Sequence, residues 1–76
     1  MPQEEVKFFR DFFEYRKKYY NVDTKNKHWW DDMVDEGIEL ADKYADQPFH
    51  PFAIGCIVEH QKEVSARFYG QQEVGK

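Results

Sequence analysis

Cysteine, proline, glycine and long apolar runs are all scarce in this chain of 76 residues. The one cysteine, Cys56, rules out an intramolecular disulfide, and the chain reads as a reduced, intracellular protein. No apolar run approaches the roughly 20 residues that span a bilayer, so no membrane partner is expected. No basic start is followed by an apolar stretch, which argues against a secretory leader and for a cytoplasmic setting. The net charge of −4 is modest and acidic, and it argues against indiscriminate nucleic-acid binding. What is abundant is aromatic surface. Seven Phe, five Tyr and two Trp are a large supply for a chain that has room for one small core.

The clearest pattern runs from His28 to Asp46. Wound at 100° per residue, its apolar and small residues (Trp29, Trp30, Met33, Val34, Gly37, Ile38, Leu40, Ala41, Tyr44, Ala45) share one half, and its charged residues with His28 share the other. Gly37 lies mid-face, where glycine costs up to about 1 kcal/mol relative to alanine. Close approach of another helix explains it. Before this segment, two apolar stripes lie roughly 110° apart by helix geometry: Phe8, Phe12, Tyr15, Tyr19, and Val6, Phe9, Phe13, Tyr20. Glu4 and Glu5 begin that segment, while Arg16, Lys17 and Lys18 lie near its end, the polarity the helix dipole favours. Arg16 falls between the stripes and calls for a carboxylate from another helix or an outward-reaching head group.

Asn21 to Thr24 and Gln47 to His50 are the connections, with Pro51 suited to a first helical turn. Beyond them Ala53, Ile54, Ile57, Val58, Val64, Phe68 and Tyr69 share a face that Gln61 and Ser65 interrupt, and Gly70 is placed to close the helix. These readings predict an all-α protein, a three-helix up-down-up bundle forming a single domain over residues 1–76. Its helices are expected at about 4–20, 24–46 and 51–69, with a disordered tail at 71–76.

Two helices with apolar faces spanning close to half their circumference exceed what a lone bundle buries. The expected surplus is Phe8, Phe12, Tyr15 and Tyr19 with Trp29, a partner-binding face for a homodimer or another protein. Phe52 and Cys56 form a smaller off-face pair.

The candidates for chemistry are weaker. His28 with Asp31, Asp32, Asp35, Glu36, Glu39, Asp42 and Asp46 places carboxylates and an imidazole on one face. Bundle metal sites instead project inward with Glu-x-x-His, which is missing here. Cys56 and His60, four apart, with His50 before them, fall short of four zinc ligands. No Gly-rich loop or catalytic signature accompanies them. The expectation is therefore no metal, no cofactor and no enzymatic activity. Tyr15 to Tyr20, followed by Lys25, Lys27, His28 and Trp29, mixes cations with rings as single-strand binders do. A nucleic-acid-binding accessory protein and an acidic nucleic-acid mimic are thus the alternatives to a protein–protein role.

The order of Phe12-Phe13, Lys18-Tyr19-Tyr20, Trp29-Trp30, Lys43-Tyr44 and Pro51-Phe52 ahead of an apolar helix resembles small uncharacterised helical proteins of bacterial genomes, prophages and mobile elements. The resemblance covers most of residues 8 to 69 and implies a bacterial cytoplasmic setting. It brings no functional residues with it.

Overall fold

Helix α1 (Gln3–Lys18) begins after Pro2 with Glu4 and Glu5 in its first turn and ends with Arg16, Lys17 and Lys18 in its last. This charge order complements the helix dipole. Helix α2 spans Trp29–Lys43 and helix α3 spans His50–Gln72 in a computed structural model that describes residues 2–72. Phe8 meets Tyr44 and Tyr19 meets Trp29, so α1 and α2 run antiparallel. Gly37 lies against Ile57 and Gln61, and Trp30 against Phe68, so α2 and α3 are antiparallel as well. Phe9 meets Phe52 and Arg16 meets Glu63, which makes α1 and α3 parallel. The protein is an all-α, three-helix, up-down-up bundle with every helix touching the other two.

Helix bounds differ from the sequence expectation for local reasons. Residues 23–28 do not extend α2. The Asp23 Oδ1 accepts from the Lys25 amide at 3.0 Å, and the Asn26 Oδ1 accepts from the His28 amide at 3.0 Å. These short polar side chains compete with the helix for backbone groups and hold two successive turns. At the other end, the Tyr44 amide bonds back to Ala41 and Asp42 and closes α2 at Lys43. Helix α3 continues through Gly70 to Gln72, because no described glycine has positive φ and Gly70 makes no cap. Of the expected tail, residues 71 and 72 are helical, and 73–76 lie outside the described residues.

The core is Phe8, Tyr15 and Tyr19 from the α1 side, Trp29, Met33, Leu40 and Tyr44 from the α2 side, and Ala53, Ile57, His60 and Val64 from α3. This corrects the predicted partner-binding face. Phe8, Tyr15, Tyr19 and Trp29 are buried, and Phe12 is half-buried, stacked on Phe8 and edge-on to His60. The two α1 stripes exchange roles, leaving Val6, Phe13 and Tyr20 exposed. The reason is polar satisfaction. Buried tyrosines need partners for their hydroxyls. The Tyr15 hydroxyl donates to the Met33 carbonyl at 2.8 Å, and the Tyr19 hydroxyl donates to Glu36. Among the described residues, Tyr20 has no such partner for its hydroxyl. Its ring instead lies under the Arg67 guanidinium at 4.0 Å and near that of Arg16 at 5.2 Å.

A matched pair of clasps joins α1 to α2. At the end of α1, Lys18 Nζ and the Tyr19 hydroxyl both donate to Glu36. At the end of α2, Lys43 Nζ and the Tyr44 hydroxyl both donate to Asp11, each at 2.7 Å. Burial pushes the Asp11 carboxyl up, but these two donors outweigh it, and its net pKa is below the ordinary value. Burial and the same carboxylate push the Tyr44 phenol up to about 12.

The exchange of stripes is measurable. Removing the ring of a fully buried Phe costs about 3–5 kcal/mol. A chain of this length has a total stability of about 4–11 kcal/mol at ordinary values per residue. Phe8→Ala should therefore lose a large part of the unfolding free energy in a urea titration. Phe13→Ala, at an exposed site, should stay within about 1 kcal/mol of wild type.

Candidate functional site: an apolar groove between α2 and α3

The site is built on a contact among all three helices. Gln61 Nε2 on α3 donates to the Tyr15 hydroxyl at 3.1 Å, and that hydroxyl in turn donates to Met33 on α2. The pair passes directly over Gly37. A Cβ there would stand 2.8 Å from Gln61 Nε2 and 3.0 Å from both the Tyr15 hydroxyl oxygen and Ile57 Cγ2. The mid-helix glycine is thus explained by close approach of a helix and of a polar bridge. Gln61, read from sequence as an interruption of an apolar face, is the α3 end of that bridge.

His60 lies beside this contact and is 2% exposed. Arg16 approaches its Nδ1 at 3.0 Å, and Arg16 also holds Glu63 at 2.9 and 3.2 Å. A guanidinium only donates, so Nδ1 is the acceptor and the ring proton sits on Nε2. Nε2 is buried with no hydrogen-bond partner. Burial first, and the Arg16 charge second, hold the His60 pKa below its ordinary value, while Glu63 pulls the other way. Arg16 therefore pairs with a carboxylate from another helix, one of the two outcomes open to it from its position between the stripes.

Outward from Gly37, the next positions on both helices are aliphatic. Val34, Ile38 and Ala41 form one wall, Ile54 and Val58 the other, and Gly37 and Ile57 the floor. Asp42, His50 and Gln61 complete the lining, and the groove holds about 320 Å³. Ile38 is 55% exposed, and Val34, Val58 and Ile54 are 40–42% exposed. On each helix the two exposed aliphatics are four residues apart, so each wall is a ridge along the groove. All four are β-branched and stiff at χ1, so covering them orders few rotamers.

Of the other exposed apolar side chains, Val6 stands alone and the aromatic ones are already engaged. Lys17 Nζ sits over the Phe13 ring at 5.0 Å. Phe52 packs edge-on to Phe9, and Tyr69 stacks on Trp30. A polar groove of similar size between α1 and α2, which includes Asp11, Lys18, Glu36 and Lys43, is closed chemically by the two clasps.

The residues singled out for chemistry are dispersed. Among the described residues, no group of three or more His, Cys, Asp or Glu is placed to hold a metal. His28 precedes α2 and is exposed, His60 is buried, and Cys56 is half-buried, its thiol pushed up by burial. In the basic and aromatic run, Tyr15 and Tyr19 are internal, Arg16 is held by Glu63, Lys17 pairs with Glu14, and Lys18 holds Glu36. Among the described residues, no helix is long and apolar enough to cross a membrane. No protein-family model, curated protein or solved structure matches the chain.

Two outcomes test this construction. Gly37→Ala gains up to about 1 kcal/mol of helix propensity but overpacks the bridge at a typical cost of about 1–3 kcal/mol. The melting temperature should fall by roughly 4–8 °C per net kcal/mol in a domain of this size. For His60, the unfolded chain binds the proton more readily than the folded one. Its contribution is complete above an unfolded pKa of 6.5 and is lost as pH falls through the depressed folded value. Stability should fall by at most about 1.4 kcal/mol per pH unit from this group below that point. His60→Gln should flatten the slope between pH 7 and 5.5 in denaturant titrations, whatever its absolute stability.

Proposed function

We propose that this protein is a non-catalytic interaction module that receives an apolar helix of a protein partner in the α2–α3 groove. The observation that carries this reading is the contiguous set Val34, Ile38, Ile54 and Val58, exposed on two ridges around a concave floor. Helix-in-groove recognition uses this arrangement, with anchors at three- and four-residue spacing entering between two ridges. Isolated exposed aliphatics are ordinary, whereas a grouped set around a groove is the usual mark of a partner site. The groove takes over the role that sequence pattern assigned to Phe8, Phe12, Tyr15, Tyr19 and Trp29.

A nucleic-acid role is less well supported, because Arg16, Lys17 and Lys18, three of the five cations that would serve it, are held by Glu63, Glu14 and Glu36. The acidic-mimic alternative uses only the outer face of α2 and leaves the groove unexplained.

The test is a display library of short helical peptides with an apolar row, selected on the intact protein. Selected peptides should bind wild type and lose at least about tenfold in affinity on Ile38→Glu or Val58→Glu, a loss of about 1.4 kcal/mol. Both side chains are exposed, so both variants should keep melting temperatures close to wild type. Peptides that bind the variants as well as wild type, or a selection that returns none from a protein that is monomeric at every concentration, would refute the groove reading.

A further inference from the structure

We infer that the helix entering the α2–α3 groove carries a row of Lys or Arg beside its apolar row, on the flank that meets α2. This rests on the groove reading above and adds the partner's charge pattern. On α2 the positions next outward from Val34, Ile38 and Ala41 are Asp31, Asp35 and Asp42. They recur at four and seven residues, which aligns them along one side of the helix over about 16 Å. All three are exposed, and Asp42 lines the groove itself.

Their lack of partners separates them from the acids on the bundle's seams. Asp11 is held by Lys43, Glu36 by Lys18, and Glu63 by Arg16 and Arg67. Among the described residues, no ion pair or side-chain hydrogen bond reaches Asp31, Asp35 or Asp42. The α3 wall has no matching charge row. Pro51 and Gly55 lie on its outer side, and Lys62 is taken by Glu59. The groove is therefore acidic along one wall only, which fixes both the sign and the side of the complement.

A second copy of this chain is the poorer occupant. Its own α2 wall brings the same three carboxylates, and the chain already carries a net charge of −4. Charges at the rim of an interface act mainly on partner choice and association rate, while the apolar row supplies most of the affinity.

The experiment is a second display library with the apolar row held constant and both flanks randomised among Lys, Glu, Gln and Ala. It is selected on wild type and, in parallel, on Asp31→Asn/Asp35→Asn/Asp42→Asn. At low salt the wild-type selection should enrich Lys over Glu at least about threefold on one flank only. The triple variant should abolish that bias and weaken a selected cationic peptide by about tenfold. Peptides that depend on Ile38 but show no flank bias, or an acidic one, would overturn the charge inference and leave the groove reading standing. If no peptide is retained, light scattering decides. A dimer broken by Ile38→Glu would make a second copy the occupant and overturn the cationic partner, and a monomer at every concentration would overturn both readings.

Discussion

The bundle depends on one hydroxyl. The Tyr15 oxygen accepts from Gln61 on α3 and donates to a carbonyl of α2, so one atom of α1 bonds to both other helices. It is buried, and a buried hydroxyl is costly unless both of its roles are met. Gly37 makes the geometry feasible by leaving the α2 backbone bare at that level. The position of α3 follows from this. It is drawn close to α2 at Ile57 and Gln61, and the flanking aliphatics on both helices are left as ridges instead of interdigitating. The bridge and the groove are the inner and outer sides of one close approach.

Much of the fold was legible in the chain. The three-residue and four-residue spacing between His28 and Asp46, the prolines at 48 and 51, and the short connections define three helices in up-down-up order. The close contact at Gly37 and the carboxylate partner of Arg16 were legible too, because each is a local anomaly with few physical remedies. The choice between the two α1 stripes was not. Both are apolar and aromatic, and the decision turns on whether Tyr15, Tyr19 or Tyr20 can find a hydroxyl partner on helices that sequence order alone does not position. Helix ends were misjudged where Asp23 and Asn26 bond to their own backbone, and where Gly70 simply continues a helix.

The groove escaped notice for a related reason. A helical wheel assigns Val34, Ile38, Ile54 and Val58 to apolar faces, and an apolar face reads as core. Exposure appears only when the interhelical distance is known, and the Gly37 contact sets that distance. The one repeated signal in the chain concerned the α1–α2 seam instead. The Lys-Tyr dipeptide occurs at the end of α1 and again at the end of α2, each one turn or less from a helix terminus. Such a repeat suggests an exchange of equivalent contacts between two antiparallel helices, and the structure places Glu36 and Asp11 to receive them.

Those two clasps cross the α1–α2 seam in opposite senses, one with its cation on α1 and the other with its cation on α2. Translating α2 past α1 disturbs both, so sliding along that seam meets two polar contacts at once. Packed helices accommodate ligands by shear or by hinging. Helix α3 is tied to α1 in its turn, by Gln61 to Tyr15 and by Glu63 to Arg16, so both walls of the groove are anchored on the same helix. Helix α1 is thus the common backing of both walls.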